Sequence, residues 1–317
     1  ENIGIPRQTR QKLPISQILN SKCSSWLVLA PPGFGKSTLC RTLAYKASVS
    51  ARNQKKGLIP VVLPLRLINE RGGLWQSHAD LLSMVPLIGA NETLIQCLRE
   101  HLLNGDLWLL IDGIDEVNPE YHQELRKCLS VIIQGPCRVL ITCREADYRN
   151  FPNLTLPLPS LVLQEFNEDQ LDEYISDWQK AIYGTSKGIA ISENKSEINR
   201  LFGCSDEIKR LGKTPLLAAL LCWVGSNSTS AKTSGRAAFY ETAVDHLLSA
   251  RAYDDVGSVG APECLNEGAL RYLVQSLAFE MSGIADGNKR LGISRDDLRS
   301  SVPRILETLN FMNQTGK

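Results

Sequence analysis

Three stretches carry residue types whose spacing could do chemistry. The first is Ala30-Pro31-Pro32-Gly33-Phe34-Gly35-Lys36-Ser37-Thr38, which follows an apolar run and opens a helical pattern. Gly33 and Gly35 let the backbone curl until successive N–H groups converge on an anion. The start of the helix adds its positive end, and Lys36 adds a cation. This spacing is that of a P-loop, except that Ala30 stands where the motif begins with glycine. In that reading Lys36 reaches the β- and γ-phosphates and the Ser37 hydroxyl ligates Mg²⁺. The plain alternative is a Gly/Pro turn before a helix, and the flanking strand and helix argue against it.

The second stretch is Leu107-Trp108-Leu109-Leu110-Ile111-Asp112-Gly113-Ile114-Asp115-Glu116, an apolar strand ending in the carboxylates Asp112, Asp115 and Glu116. Carboxylates at the end of a buried strand are costly without a cation, and a hard Mg²⁺ shared with phosphates would offset them. Asp112, as the strand's last residue, is the candidate second metal contact beside Ser37. Many additional-strand P-loop ATPases carry a catalytic Glu at the next position, which is Gly113 here. Asp115 and Glu116 are therefore the candidates to orient an attacking water. Taken alone, an acidic turn after a strand is a solvated helix cap.

The third stretch is Arg138-Val139-Leu140-Ile141-Thr142-Cys143-Arg144, a further buried strand ending in a hydroxyl and a guanidinium. Groups at the carboxyl ends of parallel strands face the ligand crevice, so Arg144 can touch a γ-phosphate and report its presence. By itself Arg144 is an ordinary surface arginine.

Five short Val/Ile/Leu-rich runs must position these groups: Ser25–Ala30, Ile59–Leu63, Leu107–Ile111, Arg138–Thr142 and Ser160–Leu163. Helical patterns at Ser37–Ala47, Glu92–Leu103 and Glu120–Ile133 lie between them, and such alternation predicts an α/β fold with right-handed crossovers. From Asn167 onward only helical patterns appear: one capped by Asn167 and running through Trp178, then Asp206–Leu211 and Pro215–Trp223. After a polar break at Gly225–Gly235 come Ala237–Arg251, Glu267–Met281 and Ser294–Asn310, the last expected to break or restart at Pro303.

The chain has 317 residues, more than one core of roughly 250–300 residues usually holds, so at least two domains are expected. Its apolar share of 43% and charged share of 22% are globular values. A net charge of +1 gives no general field for nucleic acid or an anionic membrane. No evident nucleic-acid site, membrane-length apolar run or leading signal peptide is found. Nine cysteines without a CxxC pair, Cys40, Cys128, Cys143 and Cys222 among them, read as buried free thiols of a cytosolic protein. The four dispersed histidines make no zinc site. A start at Glu1 and a stop at Lys317 read as a piece of something longer.

Together, the phosphate loop, the Asp-Gly-Ile-Asp-Glu strand end, the Thr-Cys-Arg strand end and Lys213-Thr214-Pro215-Leu216-Leu217 resemble the NACHT branch of the STAND signalling NTPases. Ile59–Leu65 is similar to that family's second strand, Leu163–Phe166 to its exit into a helical domain, and Arg236 with Phe239-Tyr240-Glu241 to the entry of its winged helix. The resemblance implies a five-stranded parallel sheet of order 5-1-4-3-2 flanked by helices, an all-α domain and part of a winged-helix domain. The corresponding segments are 1–24 as an N-terminal linker, 25–166 as the nucleotide-binding domain, 167–230 as the helical domain and 231–317 as the partial winged helix. It also implies that Pro215 packs on adenine, that Arg144 is the sensor, and that Asp112, Asp115 and Glu116 form the extended acidic motif. Alone, Pro215 is equally a first-turn proline.

The resemblance implies an ATP/ADP-binding switch in which slow Mg²⁺-dependent hydrolysis controls self-assembly in immune or antiviral defence. Sensor and effector domains would lie outside this stretch. The alternatives are an AAA+ remodelling ATPase or small-molecule P-loop kinase, and a scaffold that holds nucleotide without hydrolysing it.

Overall fold

The computed structural model describes residues 14, 17–18, 25–54, 57–70, 72, 81–82, 91–150, 155–183, 205–227, 237–245, 271–276, 278, 300–305 and 307. Strands β1 (Ser25–Leu29), β2 (Ile59–Pro64), β3 (Leu107–Asp112), β4 (Arg138–Cys143) and β5 (Ser160–Val162) form one sheet. Every pairing is parallel, and the order is β2-β3-β4-β1-β5, the expected order counted from the other edge. Helices α1 (Lys36–Gln54), α2 (Leu67–Glu70), α3 (Glu92–Asn104), α4 (His122–Gln134) and α5 (Glu145–Asn150) fall between strands.

The apolar runs have two faces because side chains alternate along a strand. Leu107, Leu109 and Ile111 of β3 join Val139, Ile141 and Cys143 of β4 and Leu27 and Leu29 of β1 in one core, roofed by Leu98 and Leu102 of α3 and Leu125, Leu129 and Ile132 of α4. Trp108 and Leu110, Leu140 and Val28 point to the other face, where Leu39, Cys40 and Leu43 of α1 cover them. Burial on both faces is why the central strands read as continuous apolar runs. Edge strand β2 is buried only at alternate positions. The consequence for function is alignment: Leu29 pairs with Cys143 and Ile111 with Ile141, so the carboxyl ends of β1, β4 and β3 stand side by side.

Several starts and stops differ from expectation: α1 runs on past Ala47 to Gln54, and the helix expected through Trp178 continues to Tyr183. Pro119 opens its own 3-10 turn, Pro119–Tyr121, so the helix expected from Glu120 begins at His122. The helix α8 (Pro215–Asn227) runs past Trp223 through the buried Gly225. The apolar burial of Ala218, Leu221, Cys222 and Val224 outweighs the roughly 1 kcal/mol that glycine costs inside a helix.

Contacts divide the chain into one unit of residues 1–169 with 213–217 and another of residues 170–212 with 218–317. The second unit takes in most of α6 (Glu168–Tyr183), α7 (Asp206–Leu211) and α8 from Ala218 onward. Leu171, Ile175 and Gln179 of α6 are buried, and Ser205 caps α7 by accepting the Ile208 N–H. Arg271 bridges Glu241 and Asp245, one turn apart on a single helical stretch. Residues 300–305 are helical on both sides of Pro303, so no break falls there. Much of the expected winged-helix segment, including Arg236 and most of Glu267–Met281 and Ser294–Asn310, lies outside the described residues. Among the described residues no helix is long and apolar enough to cross a membrane.

Candidate nucleotide site

The phosphate loop leaves β1 at Ala30, which is fully buried and donates its N–H to the Cys143 carbonyl at 3.2 Å. Pro31 and Pro32 are exposed, and the chain then turns through Gly33 at φ +79° and Gly35 at φ +86°. Side-chain-bearing residues rarely adopt that region. Lys36 begins α1, and the Leu39 N–H closes onto the Gly35 carbonyl at 2.8 Å. The Lys36 ammonium lies back over the loop, donating to the Ala30 carbonyl at 3.1 Å and the Pro31 carbonyl at 3.4 Å. Phe34 is half-buried, while Ser37 and Thr38 are exposed. A helix of 19 residues with no acidic residue in its first turn leaves its positive end uncompensated, which suits an external anion.

Pro215, distant in sequence, belongs to the same unit. The Leu216 N–H donates to the Gly33 carbonyl at 3.0 Å, and a Cβ on Gly33 would sit 3.1 Å from that of Leu216. The Lys213 carbonyl accepts from the Phe166 N–H at 2.9 Å, so the segment is tied at both ends.

The three carboxylates do different things. Asp112 accepts from the Thr142 hydroxyl at 2.7 Å, and that hydroxyl accepts the buried Gly113 N–H at 2.9 Å. Asp115 is 2% exposed and spends both oxygens on Arg144: Oδ1 takes its backbone N–H at 2.9 Å and Oδ2 its Nε at 3.0 Å. Among the described residues, the Glu116 carboxylate accepts no hydrogen bond. Burial first, then the charges of Asp115 and Asp112, hold its pKa above the ordinary carboxylate value, with Arg66 and Arg144 pulling the other way. Gly113 stands at φ +79°, and a Cβ there would lie 3.0 Å from the Glu116 carboxyl carbon. A glutamate directly after Asp112 would therefore be strained in its backbone and would press on the Glu116 side chain.

The expected buried thiols Cys40, Cys128, Cys143 and Cys222 are buried and form no disulfide. Burial raises the Cys40 pKa first and the Asp112 charge second, which sets Asp112 alongside the first turns of α1. Burial alone pushes Cys222 up to about 12. The donor set fits a hard cation: an exposed serine hydroxyl, and an aspartate whose second oxygen has no hydrogen bond among the described residues.

The structure thus brings Ala30, Pro31, Pro32, Gly33, Phe34, Gly35, Lys36, Ser37, Thr38, Asp112, Asp115, Glu116, Arg144 and Pro215 into one unit. Sequence reasoning misses Asn69, whose amide donates to the Glu116 carbonyl, and Arg66, which faces the Glu116 charge. It names Thr142 without giving it a role. A hydroxyl closing an apolar strand is signal enough for Thr142, whereas Asn69 and Arg66 sit in an unremarkable polar turn.

A parallel sheet of this order with a glycine-bent loop, its lysine and an acidic strand end defines a P-loop NTPase, a class that binds nucleotide. Residues 25–181 match the NACHT domain, and that segment belongs to the NACHT family. No curated protein matches the chain in sequence. Among solved structures it is similar to the Aeropyrum pernix ORC1 protein in complex with DNA, at 14% identity and a TM-score of 0.45 over 95% of this chain and 82% of that one. It is similar also to a Walker-type ATPase of Pyrococcus abyssi, at 13% identity and a TM-score of 0.43 over 94% and 87%. Domain III of the Thermotoga maritima replication initiation protein DnaA follows at 11% identity and a TM-score of 0.38 over 68% and 90%. These scores, all under 0.5, say nothing further about this chain.

Proposed function

We propose that the chain is a nucleotide-operated switch of the STAND type, binding ATP or ADP with Mg²⁺ and hydrolysing ATP slowly. The observation that carries this reading is the hydrogen bond from Leu216 to Gly33. A nucleotide that reshapes the phosphate loop acts directly on Lys213–Leu217, and the chain passes into the second unit at Ala218. Two loop states with different contacts to the γ-phosphate would bias that segment, and through it the helices beyond.

Lys36 would leave the Ala30 and Pro31 carbonyls for the phosphates, and the Ser37 hydroxyl and Asp112 would hold Mg²⁺. The bound cation would offset charge on the phosphate oxygens. Arg144, its Nε held by Asp115, keeps its terminal nitrogens for the γ-phosphate. Glu116, with its raised pKa and a carboxylate that accepts no hydrogen bond among the described residues, orients the water and takes its proton. Turnover is slow because Gly113 replaces the glutamate common at that position. Pro215 offers an apolar contact to the base, favouring adenine.

By its resemblance the switch serves immune or antiviral signalling in the cytoplasm through self-assembly, with sensor and effector domains elsewhere in a longer protein. The division of segments into linker, nucleotide-binding, helical and partial winged-helix domains belongs to the same proposal. Nucleotide content of the purified chain, single-turnover hydrolysis, and oligomer size in Mg-ATP against Mg-ADP test it together. Bound adenine nucleotide and a larger species in ATP are expected. Identical oligomer size in both nucleotides would sink the switch, and fast steady turnover would point to a remodelling motor.

A further inference from the structure

The turn after β2 is bonded to the acidic turn from one end to the other. The Leu65 N–H donates to the Asp112 carbonyl at 2.9 Å. Four residues on, the Asn69 amide takes both sides of Val117: its Nδ2 donates to the Glu116 carbonyl at 2.7 Å, and its Oδ1 accepts the Asn118 N–H at 2.9 Å. The amide's orientation follows from its partners, since a carbonyl requires the NH₂ and an N–H requires the oxygen. Asn69 thus completes the backbone of the acidic turn as a neighbouring strand would. Its own place is set by Ile68, fully buried in the core beneath α2.

We infer that Asn69 is a positioning residue for Glu116, aiming its carboxylate by clamping the backbone on either side of Val117. This rests on the reading of Glu116 as the group that orients the attacking water. Asp112 and Asp115 are each fixed by a hydrogen bond to their side chains, from Thr142 and Arg144. Glu116 has no such bond among the described residues, so its backbone and the close surface of Gly113 determine where its carboxylate lies. A shift of about 1 Å in a group of this kind is worth up to about a hundredfold in rate. Asn69 itself touches no reacting atom in this scheme.

The test is a cycle in the full chain, combining Asn69→Ala with Glu116→Gln and reading single-turnover hydrolysis, Mg-ATP affinity and melting temperature. The expected result is that Asn69→Ala slows hydrolysis about tenfold with affinity unchanged, and slows the Glu116→Gln background hardly at all. Asn69→Asp should be at least as slow, because it sets a carboxylate oxygen against the Glu116 carbonyl. Should Asn69→Ala fail to fold, Asn118→Pro removes the clamp's second half, together with an exposed 3.5 Å contact from the Asn118 amide to Glu120. Asn118 has φ −59° and ψ 140°, which proline adopts, and Val117 before it is extended at ψ 136°. Loss by the same factor in both Glu116 backgrounds would make the clamp a plain structural tie and overturn the inference. Unchanged hydrolysis in both Asn69→Ala and Asn118→Pro would overturn it equally. A Glu116→Gln variant as fast as its parent would instead bring down the reading beneath it.

Discussion

The lysine of the phosphate loop is held from nearby and the carboxylates of the acidic turn from far away. Lys36 folds onto carbonyls five and six residues back, and Leu39 closes on Gly35. The turn from Asp112 to Asn118 is fixed by Thr142 and Arg144, 29 and 30 positions away, and by Asn69, 47 and 49 positions away. The placement of Lys36 therefore travels with a short piece of sequence, although Cys143 and Leu216 bond the ends of the loop from afar. The turn's chemistry exists only while two other segments hold it. Binding should depend on the first region and turnover on the second, and perturbations of the two should separate accordingly.

The largest effect should come from Glu116→Gln. It removes proton acceptance and water positioning alone, so single-turnover hydrolysis is expected to slow about 10- to 1,000-fold while Mg-ATP binding is retained. Rapid-quench measurement of one turnover checks this, and an unchanged rate would transfer the role to Asp115 despite its engagement with Arg144.

Next in size is Lys36→Ala, which removes the cation lying on the loop. Mg-ATP affinity should fall by about 1.5–3 kcal/mol, the scale of charge-assisted hydrogen bonds. Calorimetry decides it, and equal affinity would break the assignment of the loop.

Thr142→Val tests the far-held region without touching a carboxylate. It keeps the shape but leaves the buried Gly113 N–H without its acceptor and Asp112 without its donor. A loss of about 1–3 kcal/mol in unfolding free energy is expected by denaturant titration. The Mg²⁺-dependent part of ATP affinity should weaken with it, while the Mg²⁺-independent part stays.

The smallest effect is a pH dependence. The fold raises the Glu116 pKa above the ordinary 4.5, so the folded state holds that proton more tightly than the unfolded one. Stability is then lost as pH rises from below 4.5 through the folded pKa, and the penalty persists above it. Glu116→Gln carries no such penalty. Its denaturation midpoint should exceed the parent's at neutral pH and converge with it in acid, and a constant gap across pH would refute this.

The same contrast between near and far partners governs how much the amino-acid order reveals. The strands and the loop with Lys36 and Ser37 are legible because alternation, apolar runs and glycine spacing act over a few residues, whereas the strand order comes from the family resemblance alone. The helix ends are less so: Gly225 reads as a break until the burial of its neighbours is known, and Pro119 takes a turn of its own ahead of α4. Asp112, Asp115 and Glu116 are legible as a group and indistinguishable as individuals.

The amino-acid order determined a P-loop on a parallel sheet and an acidic strand end beside it, since those features need only local backbone geometry and the two-residue period of a strand. Tertiary structure decided which carboxylate does what. The partners differ: Arg144 engages both oxygens of Asp115, Thr142 takes one of Asp112, and Asn69 reaches only the backbone of Glu116. Those partners come from other strands and turns, brought within about 3 Å by the packing of the sheet, and no spacing along the chain encodes that proximity.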